Sequence, residues 1–186
     1  MKRIRLIPFP GMPAPAVHSF EASLERSREG ALQLAFDLRA DPAQLRWPGP
    51  RTTTFRDGLW RHTCMELFAA PVGNTYREFN FSPSGEYAIY NFSGYRAGMH
   101  PVTPPVAPHI HVAADEAGWA VEIRVPEGLL ICPDGTVQLM GIAAVLEDAQ
   151  GSLSFWAAQH APEKPDFHHR AGLVIPWPDG PLTSSP

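Results

Sequence analysis

The sequence predicts an all-β chain: an antiparallel β-sandwich of about nine or ten strands, immunoglobulin- or jelly-roll-like. Three observations predict it. Proline and glycine supply 21 and 15 of the 186 residues, more punctuation than long helices survive. Apolar and polar residues alternate at a period of two in segment after segment. Short turn sequences join several of those segments, as they join antiparallel neighbours. A closed barrel is the other architecture that would bury this pattern.

Residues 1–16 read as a Pro-rich extended lead-in. Two alternating segments follow. In the second, Leu32, Leu34, Phe36 and Leu38 point one way and Gln33, Asp37 and Arg39 the other, which makes a half-buried strand. A loop runs from Asp41 to about Gly58. Residues 60–69 form the next predicted strand, with Met65, Leu67 and Ala69 on one face and Trp60, His62, Cys64, Glu66 and Phe68 on the other. After a turn at 71–74, Phe79 and Phe81 face the core from strand 76–82, while Glu78, Asn80 and Ser82 face away. A turn at Pro83-Ser84-Gly85 leads into 86–92 and completes a meander.

A Pro-rich crossing precedes a hairpin of His109–Ala114 and Trp119–Val125. Residues 136–147 are apolar on both faces, the mark of a central strand covered on both sides. Residues 152–160 alternate again, and Leu173–Ile175 reads as a last short strand. Asp134-Gly135 and Asp179-Gly180 are turn chemistry. The expected organisation is one domain over 1–186, with its core at about 17–176 and a short C-terminal tail.

Composition narrows the function classes. Hydrophobic residues make 44% and charged residues 18% of the chain, which excludes global disorder. The net charge is −4 and the 15 Lys+Arg form no basic run, so no nucleic-acid partner is expected. No apolar run approaches the roughly 20 residues that span a bilayer, so no membrane partner is expected either. The N-terminus has the charges of a signal peptide, but Pro8, Pro10, Pro13 and Pro15 break its apolar centre. Two cysteines, Cys64 and Cys132, read as free thiols in a reducing compartment. A soluble, cytoplasmic protein is expected.

The sequence contains no HExxH, GxSxG, P-loop, GxGxxG or paired CxxC pattern. His109 and His111 have the i, i+2 spacing of two metal ligands on a strand, without a third nearby. His160, Asp166, His168 and His169 gather near the C-terminus, but adjacent histidines in extended chain point opposite ways. Neither group predicts a metal. Cys64 beside His62 has the residue types of an activated nucleophile, and equally those of an edge residue. The outward face of the meander is more suggestive. Trp60 and Glu66 leave one strand on the same side, and Glu78, Asn80 and Ser82 leave the next. An aromatic plate beside carboxylate and amide groups suits a sugar, whose C–H face stacks while its hydroxyls need fixed partners. An ordinary solvated face with one Trp at its edge has the same pattern.

The runs Gly58-Leu59-Trp60-Arg61-His62-Thr63-Cys64-Met65-Glu66-Leu67-Phe68 and Tyr76-Arg77-Glu78-Phe79-Asn80-Phe81-Ser82-Pro83-Ser84-Gly85 carry a likeness. With Tyr87…Tyr90-Asn91-Phe92…Tyr95-Arg96-Ala97-Gly98-Met99, Val145-Leu146-Glu147-Asp148 and Trp156…His160…Lys164-Pro165-Asp166-Phe167-His168-His169, the chain resembles the DOMON-like superfamily. That superfamily includes family 9 carbohydrate-binding modules. The resemblance implies a β-sandwich that clamps a sugar end between two aromatics, with a carboxylate on its hydroxyls. It assigns Trp60 and Phe167 to the aromatics and Glu66 to the carboxylate. Asn80 stands where sugar binders carry a basic residue, and His62-Thr63 where an acidic pair is common. Haem-binding cousins use axial Met and His, for which Met65 and His168 are the counterparts here.

The expected function is therefore non-catalytic binding of a small, carbohydrate-like or otherwise polyhydroxylated ligand by Trp60, Glu66, Glu78, Asn80, Phe167 and His168, with no cofactor. The alternatives are a haem-b electron-transfer or sensing domain and a hydrolase-like enzyme using Glu66 or the late histidines.

Overall fold

The computed structural model describes residues 2–12, 17–132 and 135–178. The turns expected at Asp134 and at Asp179-Gly180, the C-terminal tail and part of the lead-in lie outside the described residues. The strands in chain order are β1 (Lys2–Arg5), β2 (Ile7–Pro8), β3 (Val17–Arg26), β4 (Leu32–Ala40), β5 (Cys64–Ala70), β6 (Tyr76–Phe81), β7 (Tyr87–Phe92), β8 (His100–Pro101), β9 (His109–Asp115), β10 (Gly118–Val125), β11 (Ile131–Cys132), β12 (Gly135–Thr136), β13 (Leu139–Glu147), β14 (Leu153–Ala157) and β15 (Ile175–Pro176). Five of these are two-residue pieces, which leaves ten longer strands among the described residues. The only helical pieces there are short 3-10 turns.

Two antiparallel sheets form an all-β sandwich. One has the order β1-β3-β4-β10-β9. The other has the order β2-β14-β13-β5-β6-β7-β8, with β15 also paired to β13. The meander β5-β6-β7 and the hairpin β9-β10 are the neighbours that the short turns predict.

Period-two alternation places the core. Phe20, Leu34, Phe36, Leu38, Val121 and Ile123 of the first sheet meet Met65, Leu67, Phe79, Phe81, Ile89 and Ile142 of the second. β13 lies between β5 and β14 and is buried over almost its whole length, so both of its apolar faces are covered. The second sheet's opposite face is buried too. Cys64, Phe68, Tyr76, Tyr90, Phe92 and Leu173 form a smaller apolar cluster there, roofed by loops rather than by a sheet.

Several sequence boundaries move: the strands read at 136–147 and 152–160 are Leu139–Glu147 and Leu153–Ala157, and two further shifts bear on the site. Residues 60–63 are not strand, because Gly58, at φ 76°, starts a 3-10 turn over Leu59–Arg61 before β5 begins. Trp60 therefore sits on a turn at the sheet's edge. The last strand is Ile175–Pro176 rather than Leu173–Ile175, because a 3-10 turn at Arg170–Gly172 delays it. That turn rests on β13 at Gly141, where a Cβ would meet the Gly172 carbonyl oxygen at 3.0 Å. The bare backbone lets the C-terminal loop lie close on the sheet.

Candidate functional site

The loop-roofed face of the second sheet contains a cavity of about 370 Å³. Trp60 of the 3-10 turn, Glu66 of β5, Glu78 of β6, and Phe167 and His168 of the C-terminal loop all line it. The strand register explains the carboxyls. Glu66 pairs with Asn80, and Phe68 with Glu78, so Glu66 and Glu78 project diagonally from neighbouring strands on one face. Asn80 is brought close but lies behind the lining: it is 0% exposed and its Nδ2 donates to Glu78 Oε1 at 2.7 Å.

Glu66 is 3% exposed, and its carboxyl has no hydrogen-bond partner among the described residues. Burial first, and then the neighbouring Glu78, push its pKa well above the ordinary carboxylate range. Glu78 is pushed up to about 7 by burial, against the opposing pull of Asn80 and Arg96.

Tyr76 organises the rim. Its hydroxyl accepts from the Arg96 backbone N–H at 3.2 Å and lies 2.8 Å from His168 Nδ1. With the hydroxyl donating to Nδ1, the neutral imidazole carries its proton on Nε2, which faces Glu78 Oε2 at 3.9 Å. Burial, aided by the Arg96 charge, pushes His168 down to about 4, so the ring is neutral at ordinary pH. Arg96 holds a left-handed backbone at φ 52°, uncommon for a residue with a side chain. Its guanidinium donates to Asp166 Oδ1 at 2.8 Å, and the Tyr95 hydroxyl donates to Asp166 Oδ2. Burial raises the Asp166 pKa, but Arg96 and Tyr95 outweigh it and hold the group below its ordinary value. This latch joins the 93–99 loop to the loop that bears Phe167 and His168.

Arg96, Phe92, Met99 and Phe155 also line the cavity and had no role in the sequence reading. Phe92 and Phe155 were visible as outward residues by alternation. Arg96 lies in the run Tyr95-Arg96-Ala97-Gly98-Met99, but its partner is 70 residues away.

Other sequence candidates separate. Met65 packs between the sheets while His168 faces the cavity, so the Met–His pair of the haem reading lies on opposite sides of β5. His62 does not face Cys64. It leaves the 3-10 turn toward Glu147, with Nδ1 2.7 Å from Oε2. Cys64 is buried against Asn80, and burial raises its thiol pKa, so it is not an activated nucleophile. Neither Cys64 nor Cys132 is in a disulfide, and both are buried. His109 and His111 are exposed on β9. His168 faces the cavity, whereas His169 accepts from Ala171 N at the next turn. Among the described residues no group of three or more His, Cys, Asp and Glu side chains is arranged to hold a metal ion.

A second, more open cavity of about 580 Å³ lies beside the 3-10 turn of Trp60, on its Leu59 and His62 side. Its two buried carboxylates are both paired. Arg46 Nη1 donates to Glu147 Oε1 at 2.8 Å, and Arg56 Nη1 and Ser84 Oγ donate to Glu86 at 3.2 and 2.9 Å.

No protein-family model matches the chain. No curated protein matches it in sequence. Among solved structures it is similar to the crystal structure of a "putative carbohydrate-binding protein" from Bacteroides uniformis ATCC 8492. The TM-score is 0.57 at 14% identity, over 91% of this chain and 84% of that one. At that identity the likeness establishes a shared fold, that of the β-sandwich described above.

Proposed function

We propose that the chain is a non-catalytic binding protein for a small polyhydroxylated ligand of the carbohydrate class. The ligand lies between Trp60 and Phe167, with Glu66 and Glu78 on its hydroxyls. One observation carries the reading: an aromatic-walled cavity is lined by Glu66, a carboxyl only 3% exposed, with no hydrogen bond from another of the described residues. The carboxyl opens onto the cavity, where a ligand hydroxyl would supply it with a hydrogen bond. The cavity's 370 Å³ is at the small end of the roughly 300–1,000 Å³ range of ligand pockets, suited to the end of a sugar rather than a long chain. The DOMON-like resemblance supports the same residues, and the Bacteroides neighbour has a carbohydrate-binding name. Two cysteines, neither of them in a disulfide, fit a reducing, cytoplasmic location.

Calorimetric titration with neutral mono- and disaccharides tests the proposal. Saturable binding that disappears in Trp60→Ala is the expected result. Trp60 is half-buried, with Tyr90 edge-on at 5.7 Å, so the variant should lose only about 1 kcal/mol of stability. A loss of about 3–5 kcal/mol would make Trp60 a core residue. Together with normal binding by Glu66→Gln, it would remove this face as the site.

A further inference from the structure

The cavity's charge balance says more about its ligand than its shape does. Three carboxyls, Glu66, Glu78 and Asp166, lie within reach of a single guanidinium. That guanidinium, Arg96, is bonded to Asp166 at 2.8 Å. His168 adds no charge, because its ring is neutral. The hydroxyls of Tyr76 and Tyr90 are occupied with His168 and with Asp57, respectively. Glu66 and Glu78 thus share the floor with no cation besides Arg96 acting on them, and Glu66, 3% exposed, has no hydrogen bond from another of the described residues.

The walls have matching chemistry. Trp60, Phe92, Phe155 and Phe167 all line the same space. Aromatic faces carry negative potential, and a cation within about 6 Å of a ring centroid is attracted to it, most strongly where water is excluded. Carboxyl floor and aromatic walls both favour positive charge.

Resting on the sugar-binding reading above, we infer that the ligand is cationic: an amino sugar whose protonated amine occupies the space over Glu66 and Glu78 among the aromatic rings. The ammonium donates to the Glu66 carboxylate. Any proton that this carboxyl holds in the empty site leaves to solvent, and no covalent bond changes. A neutral sugar's hydroxyls could donate to both carboxyls but would offset no negative charge that either takes on.

Titration of the wild-type protein with glucosamine, N-acetylglucosamine, glucose and methylammonium, in buffer at neutral pH, separates the two claims. Acetylation keeps the ring and hydroxyls and removes the charge. Glucosamine should bind at least about tenfold more tightly than glucose or N-acetylglucosamine, a difference of about 1.4 kcal/mol. Glu66→Gln should abolish that preference, and Glu78→Gln should reduce it, the second variant covering a folding failure of the first. Equal or tighter binding of the neutral sugars would overturn the charge inference and leave the sugar reading standing. Methylammonium binding without any sugar binding would do the reverse. If none of the four probes binds, both readings fall.

Discussion

The molecule buries two pairs of glutamates and treats them differently. Glu86 and Glu147 sit in the open cavity beside Leu59 and His62, and each has a guanidinium within hydrogen-bond distance. His62 adds a second contact to Glu147, and Ser84 to Glu86. Glu66 and Glu78 lie on the roofed face of the same sheet, just as deeply buried, with no guanidinium bonded to either. Burial alone therefore does not distinguish the two pairs. Compensation does, because a buried carboxyl without a bonded cation is a cost to folding.

The largest effect that would sharpen this contrast is in pH dependence. Burial pushes Glu78 up from 4.5 to about 7, so the folded chain keeps a proton that the unfolded chain releases. Stability from this group is full below pH 4.5 and is lost as pH rises through 7. His168 has the opposite slope: pushed down from 6.5 to about 4, it contributes fully above pH 6.5, and the contribution is lost as pH falls through 4. Between these limits the two slopes oppose one another in the wild type. Glu78→Gln removes its own share of the falling slope and leaves that of Glu66. Its stability should climb relative to wild type by an order of 2–3 kcal/mol on passing from acid to neutral pH. Urea unfolding across that range measures the gap, and parallel profiles would mean that Glu78 is not held neutral by its surroundings.

Substitution at fixed pH should show the contrast directly. Glu147→Gln loses charge-assisted bonds to Arg46 and His62 and should cost about 1–2 kcal/mol. Glu66→Gln loses no bond and should fall within about 0.5 kcal/mol of wild type, or gain stability above neutral pH. Equal destabilisation by both would erase the distinction. A smaller effect is expected from the arginines, whose side chains are half-exposed. Arg46→Ala and Arg56→Ala should each cost about 0.2–1 kcal/mol, less in high salt, by chemical denaturation. The smallest concerns Cys64, behind Asn80 under the carboxyl floor. Cys64 and Cys132 should both react with a thiol reagent in denaturant without prior reduction, and hardly at all in the native state. Fast native labelling of Cys64 would open the floor of the cavity.

What the sequence shows and what it hides follow the range of the forces involved. The alternation at Leu32–Leu38, the inward Met65 and the outward Glu66 are local consequences of a period of two. Trp60 was read onto the cavity side for the wrong local reason, because the turn from Gly58 replaces the strand. It nevertheless lines the same cavity as Glu66. Asn80 faces the expected way but spends its amide on Glu78. The Arg96–Asp166 latch and the anchoring of Tyr76 to His168 span 70 and 92 residues, and no local period encodes them. Glu86 shows the same limit, since what distinguishes it from Glu66 is an arginine from a distant loop.

The N-terminal strands cross the sandwich edge: β1 pairs with β3 in one sheet and β2 with β14 in the other, with Leu6 buried between them. The Ile7 carbonyl also accepts from His160 Nε2, 153 residues later in the chain. Phe9 stacks edge-on against His160, which in turn abuts Phe167. The segment around Leu6–Phe9 is therefore fastened only by chain that lies 153 residues further on. Such long closures are slow and leave a strand edge open meanwhile. The cavity wall at Phe167, which His160 abuts, should be among the final parts of this fold to set.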